Sequence, residues 1–413
     1  MIPQAITGLQ CSKCKWMAPA EPFVYTCPKC GENLDVVYDY DKIAASCPRL
    51  SLNKDHDASM WRYLPLLPVK EAPENRSLRV GGTPLVDFPH IAKKTGIARR
   101  QIKDDTRNPS GSLKDRASEL AIQHAREQGQ STMIAASTGN AGSSLAALSA
   151  FHGMKSIILV PATAPPAKLT QILQHGAQLV PVNANYDTAF DLAFDWAKKH
   201  QSYCRNTGVN PILAEGKKTV ALEIAEQNEW KVPDHIFVPV GDGCIISGVY
   251  KGFFDLLALK WIDFIPALHG VQADGSAAII DSLSHRGEIQ AVSANTIADS
   301  ISVDHPRDGS KARRAIIESG GRGFRVSDDD ILAAQKLLSE TTGIFAEPAA
   351  AAAYAGFLQA SEAGVFKRGD HVVVLITGSG LKDTASAQKL LIPVGAVNAN
   401  LADVENFLDS SQG

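Results

Sequence analysis

The segment D-D-T-R-N-P-S-G-S-L-K-D-R-A-S, residues 104–118, runs from an acidic strand end through a Pro-Ser-Gly turn to one lysine, Lys114, just inside a helix start. A cation there meets the unfavourable end of the helix dipole. That positive potential, together with desolvation, lowers an amine's pKa and makes it a nucleophile and a carrier of protons. Three further segments supply what such an amine needs. S-T-G-N, Ser137 to Asn140, follows an apolar run and opens a helix; Ser137 and Thr138 offer hydroxyls, Asn140 an amide, and the backbone N–H groups for an anion. The turn Gly241, Asp242, Gly243, Cys244, Ile245 joins a strand to a helix, and its glycines let N–H groups converge on a phosphate. Thr377 ends the run V-V-V-L-I, where a hydroxyl can hydrogen-bond a heterocyclic nitrogen. Taken singly, these are a cap, a close helix-strand crossing and a plain turn. Taken with Lys114, they meet the requirements of one aldehyde cofactor with a phosphate and a ring nitrogen, pyridoxal phosphate.

Four cysteines suggest separate chemistry. Cys11 and Cys14 form C-S-K-C, Cys27 and Cys30 form C-P-K-C, and 12 residues lie between the pairs. Two such pairs suit one tetrahedral zinc held by four thiolates. Four protein ligands leave no open position, so the expected zinc is structural. Trp16, Phe23 and Tyr25 are expected to form the small core of this ribbon. Cys47, Cys204 and Cys244 are scattered and read as small buried residues.

The elements that must position these groups follow from the rest of the chain. Its 413 residues, 45% hydrophobic and 21% charged, suffice for two or three domains with real cores. A net charge of −3 gives no footprint for nucleic acid or an anionic membrane. No apolar run reaches the roughly 18 residues of a membrane span, and the first residues lack the pattern of a secretion signal. A cytoplasmic protein that meets a small molecule is expected. From about residue 97, short apolar runs alternate with amphipathic segments, the pattern of an α/β protein with parallel sheets covered on both faces. Such sheets bind ligands beyond the carboxyl ends of their strands, and the segments above all follow strands. The Ala-rich run E-P-A-A-A-A-A-Y-A-G predicts a tightly packed helix, and the residues after 391 an appended one.

N-P-S-G-S-L-K-D-R, S-T-G-N, V-G-D-G and T-G-S-G-L-K-D, together with N-P-I-L-A-E-G-K-K-T and G-I-F-A-E-P, resemble threonine synthase, within the tryptophan-synthase-β-like (fold type II) class of pyridoxal phosphate enzymes. The resemblance runs from about Gly81 to Asp383. It implies two parallel-sheet α/β domains with an N-terminal zinc-ribbon-like extension: residues 1–48 as the extension, 49–130 and 207–413 as the two parts of a large domain, and 131–206 as a small one. Homodimers are usual in the class. The resemblance also implies that Lys114 would hold the cofactor covalently and later move protons, Asn140 would contact its ring hydroxyl, Gly241 to Ile245 its phosphate, and Thr377 its ring nitrogen. Ser137 and Thr138 would face the substrate's carboxylate. Glu347 lies in a motif of the class; a cap ahead of Pro348 is the plain alternative. The implied reaction converts O-phosphohomoserine and water to threonine and phosphate.

The chain departs from the family pattern where an arginine usually helps to hold the substrate's phosphate; Ile212, Leu213 and Ala214 stand there. Asn206 and Thr207 resemble the family's Asn-Ser pair. Lys218 is the expected substitute cation, with Arg205 second. The departure keeps two other readings open. One is β-elimination or β-replacement with the same cofactor on serine, threonine, diaminopropionate or phosphoserine. The other is a non-catalytic relative that docks a partner through its ribbon.

Overall fold

A computed structural model describes residues 5–19, 23–88, 97–284, 288–391 and 394–410. Two largely parallel sheets form the body. The larger has six strands in the order Gly323–Val326, Ala267–Ala273, His235–Pro239, His371–Ile376, Arg99–Asp104, Leu85–Asp87, all parallel except the last pairing. The smaller has four parallel strands in the order Gln178–Val182, Lys155–Pro161, Thr132–Ala136, Tyr203–Cys204. His371–Ile376 is central, and Val372 to Ile376 are all buried, as a strand covered on both faces requires. The Ala-rich helix Pro348–Glu362 is buried along most of its length, and a Cβ on Gly356 would come within 2.5 Å of Val271. Small residues let this helix lie directly on the sheet, as its composition predicts. The residues after 391 include the helix Leu401–Ser410.

The strand ends set the position of Lys114. His371–Ile376 runs in register with Arg99–Asp104, so Ile376 and Asp104 finish side by side. The Leu113 N–H donates to the Thr377 carbonyl at 2.8 Å, which ties the start of the helix Lys114–Glu127 to the strand end. Two residues on, Arg116 is fully buried. Its guanidinium donates to Asp105 at 2.7 and 2.9 Å and to Glu223 at 2.6 and 2.8 Å. Glu223 also accepts from Lys103 at 2.7 Å. This network clamps the helix of Lys114 to the large sheet and to the helix Thr219–Gln227.

The N-terminal segment forms a three-stranded antiparallel sheet of Met17–Ala18, Ile6–Cys11 and Leu34–Tyr38. Its aromatics do not build a separate core. Phe23 is exposed, while Tyr25 is buried against Phe194 and Tyr203 and accepts from the Cys204 N–H at 2.9 Å. Leu9, Leu34, Val36 and Tyr38 join the main hydrophobic core. The sulfurs of Cys11, Cys14, Cys27 and Cys30 all lie within 4.8 Å of one another. Asn33 donates its amide to the Asp308 carboxylate and the Arg307 carbonyl, both at 2.7 Å. The extension is therefore seated on the body, and disrupting it should lower the stability of the whole protein. Substituting Asn33 by alanine leaves part of the buried Asp308 carboxylate unsatisfied, at an expected cost of about 1–3 kcal/mol in a urea titration of global unfolding.

Candidate active site

A cavity of ≈ 370 Å³ opens where strands of both sheets end. Ser137 follows the strand Thr132–Ala136, Gly241 follows His235–Pro239 by one residue, and Thr377 follows His371–Ile376; all three line it, with Lys114. The lining also includes Thr138, Asn140, Thr207 and the whole turn Gly241, Asp242, Gly243, Cys244, Ile245. Eleven residues named from sequence for cofactor or substrate thus come from five separate segments to one cavity.

Lys114 is half-buried, the first residue of its helix, and its N–H donates to Ser112 Oγ at 3.1 Å. Burial holds its amine below the usual lysine range; Glu347 opposes that shift and Arg205 adds to it. Such an amine spends more of its time neutral at physiological pH and can act as a base and nucleophile.

Asn140 opens the helix Asn140–Phe151. Its amide donates to both oxygens of Glu347 at 2.8 and 2.9 Å, with Ser300 Oγ at 3.2 Å. Glu347 precedes the helix Pro348–Glu362, as a cap would, but its side chain makes no capping bond and turns into the cavity. Burial raises its pKa, against the Asn140 bond and the nearby Lys114. It fixes which way Asn140 faces and shares the cavity with the Lys114 amine.

The glycine turn leads into the 15-residue helix Cys244–Ala258. Gly243 has φ +97°, and a Cβ there would lie 2.8 Å from the Asp308 carbonyl. A Cβ on Gly241 would lie 2.9 Å from Ile301 Cα. Both positions therefore demand glycine, and the turn they form lines the cavity at the start of the helix. Asp242 does not block them: its carboxylate accepts from the Arg307 N–H at 3.2 Å.

Two expected substrate residues lie elsewhere. Asn206 is fully buried; it accepts from the Ala136 N–H and donates to the Phe190 carbonyl, both at 2.8 Å, holding the small sheet to the helix Tyr186–His200. Lys218 is also fully buried and faces away from the cavity. Its ammonium donates to Glu215 at 2.5 Å, Asp255 at 2.7 Å and the Tyr38 hydroxyl at 3.2 Å, so its charge is spent between the body and the N-terminal extension. Leu213 is buried as well. Sequence reasoning gave Glu347 no firm role, and the E-P step before an apolar helix was the signal available.

The model of the pyridoxal-phosphate dependent enzyme family matches residues 76–378. The chain belongs to that family. Threonine synthase from Methanocaldococcus jannaschii is 39% identical over 92% of this chain and 93% of that protein. Threonine synthase from Methanosarcina acetivorans is 37% identical over 95% of this chain and 96% of that protein. Among solved structures, threonine deaminase isoform 2 from Solanum lycopersicum superposes with a TM-score of 0.64 at 23% identity, covering 74% of this chain and 86% of that one. That likeness shows the fold. The pyridoxal-phosphate dependent family fits the cavity by the chemistry of its donors: a depressed amine for an aldehyde, and a glycine turn on the cavity lining at a helix N-terminus for a phosphate.

Proposed function

We propose that this chain is a threonine synthase, a lyase that converts O-phosphohomoserine and water to threonine and phosphate. The observation that carries the reading is the near full-length similarity to two threonine synthases combined with a cavity that gathers Lys114, Asn140, the Gly241–Ile245 turn and Thr377. Pyridoxal phosphate, when bound, supplies an electron sink for negative charge developing on the amino-acid carbons. Lys114 would hold the cofactor and, with its lowered pKa, take protons from the α and β carbons and return protons at the γ and α carbons, as phosphate leaves the γ carbon and water adds at the β carbon. The turn from Gly241 to Ile245 holds the phosphate through N–H groups at the helix start. Glu347 holds Asn140, which would contact the cofactor's ring hydroxyl, and the Thr377 hydroxyl would serve the ring nitrogen without imposing a charge there. Ser137 and Thr138, ahead of the helix Asn140–Phe151, receive the substrate's carboxylate.

The reading extends to the parts of the chain outside the cavity. Residues 1–48 form a structural zinc ribbon, 131–206 the small domain, and 49–130 with 207–413 the large one. Zinc is supported by sulfur separations of 3.5 Å for Cys11 with Cys30 and 3.6 Å for Cys14 with Cys27. A tetrahedral site with Zn–S bonds of about 2.3 Å has edges of about 3.8 Å. Among the described residues no helix is long and apolar enough to cross a membrane. We place the protein in the cytoplasm as a homodimer, for which exposed Leu381, Leu391, Val394 and Leu401 offer apolar surface.

Reaction in ¹⁸O-water tests the chemistry. Water added at the β carbon must leave ¹⁸O in the hydroxyl of the threonine product. Formation of 2-oxobutanoate and ammonia from O-phosphohomoserine, without labelled threonine, would show an eliminating lyase instead.

A further inference from the structure

The N-terminal extension reaches the glycine turn of the cavity through Arg307 and Asp308. On the cavity side, the Asp308 N–H donates to the Asp242 carbonyl at 2.9 Å, and the Arg307 N–H to the Asp242 carboxylate at 3.2 Å. A Cβ on Gly243 would lie 2.8 Å from the Asp308 carbonyl, so the turn has no room to shift on that side. Two hydrogen bonds and a tight contact thus fasten the middle of the turn to these two residues. The Arg307 side chain also crosses to the opposite wall. Its guanidinium donates to Asp187 at 2.8 Å and stands 4.8 Å from the Phe190 ring centroid. Arg307 and Asp187 both line the cavity.

On the far side the same two residues are held by Asn33, which is buried. Its amide nitrogen donates to the Arg307 carbonyl and the Asp308 carboxylate, both at 2.7 Å. The bond to the carboxylate is charge-assisted. Asn33 takes its own position from the cysteine hairpins. Its carbonyl accepts at 3.0 Å from the N–H of Ser12, the residue after Cys11. Its backbone pairs with Thr26, the residue before Cys27, and the Cys27 N–H donates to the Glu32 carbonyl at 2.8 Å. A metal that draws the four sulfurs together therefore fixes the backbone on both sides of Asn33. The extension has other anchors away from the cavity. Asp35 pairs with Lys311 at 2.7 Å and Arg314 at 2.8 Å, and neither cation is on the cavity lining.

We infer that Asn33 is a positioning residue for the glycine turn, through which zinc in the four-cysteine site tightens the hold on the phosphate of pyridoxal phosphate. The inference rests on reading the cavity as a pyridoxal phosphate site and the cysteines as a zinc site. The metal does no chemistry in this coupling; it sets where Asn33 stands. Coupling between two binding sites is reciprocal, so the cofactor tightens zinc binding by the same factor.

Titrations of the full chain, zinc-loaded and zinc-stripped, with pyridoxal phosphate and with pyridoxal measure the coupling. Zinc should raise the affinity for pyridoxal phosphate by roughly 5- to 150-fold, the range for coupled sites, and leave that for pyridoxal, which lacks the phosphate, nearly unchanged. Competition with a chromophoric chelator should show zinc held tighter by the same factor when pyridoxal phosphate is bound. In zinc-loaded Asn33→Ala, affinity for pyridoxal phosphate should fall toward the zinc-stripped value, and the reciprocal effect on zinc should vanish. Asn33→Asp combined with Asp308→Asn rebuilds the side-chain bond with donor and acceptor exchanged and should recover part of the coupling. Arg314→Met loosens the extension away from the cavity and should leave both affinities unchanged. Should the zinc-stripped chain fail to fold, zinc-loaded Asn33→Ala against Arg314→Met decides the matter. Equal pyridoxal phosphate affinity in folded wild type and Asn33→Ala would overturn the inference, as would a loss shared by pyridoxal or by Arg314→Met. Those outcomes refute the inference alone; wild type that binds no pyridoxal phosphate would refute the reading of the cavity and the inference with it.

Discussion

Replacing Lys114 with alanine should lower turnover by about 10²–10⁴-fold, the range for loss of a positioned acid and base. Borohydride-treated wild-type holoenzyme should yield one modified peptide, carrying Lys114, and the variant none. The expectation follows from location. Among the described residues Lys114 is the only lysine on the cavity lining, and it stands with Thr377 and the glycine turn around one space. The other buried lysines are otherwise placed: Lys103 is bonded to Glu223, Lys218 to Glu215 and Asp255, Lys311 to Asp35, and Lys217 lies outside the cavity lining. The variant should keep its fold, because the helix of Lys114 is held by Arg116 and by the Leu113 N–H, neither of which the change touches. A wild-type adduct on a different lysine would remove the basis for every role assigned in the cavity.

The largest loss of stability is expected at Glu223, the partner of Arg116. Glu223 accepts from Arg116 and Lys103, both fully buried. Glu223→Ala leaves these two cations with neutral partners and the single carboxylate of Asp105 and should cost about 3–5 kcal/mol, the range for breaking a buried ion pair from one side. A shift of the urea midpoint at unchanged slope measures it. Arg116 and Lys103 hold the Glu223 carboxyl far below its ordinary range despite the opposing effect of burial. Its contribution is therefore complete above the ordinary glutamate pKa near 4.5 and is lost as pH falls through the depressed folded value. Wild type and variant should converge in stability only in strong acid. Because the network also anchors the helix of Lys114, the variant should bind cofactor more weakly.

What the sequence disclosed, and what it withheld, divides along physical lines. Lys114, Ser137, Gly241 and Thr377 were legible because each directly follows an apolar run or a turn, and parallel strands deliver such positions to one edge. Lys218 was misplaced because neighbouring residues on a helix differ by about 100° in direction, a rotation no local pattern reveals. Lys218 turns to Tyr38 and Asp255, while Lys217 lies along Gly248 toward Cys244. Asn206 was misread for a related cause: a buried amide that joins two backbones looks in sequence like one that awaits a ligand. The ribbon's aromatics were assigned to the wrong core, since Tyr25 finds its partners in Phe194 and Tyr203, far along the chain. The Asn140–Glu347 pair spans two segments 207 residues apart and needed the fold.

The account turns on whether this cavity processes a phosphorylated amino acid, and ³¹P NMR of holoenzyme with O-phosphohomoserine measures that directly. The monoester signal should give way to inorganic phosphate, with one threonine formed for each phosphate released. A monoester signal that persists, while the same enzyme liberates ammonia from serine or threonine, would contradict the account.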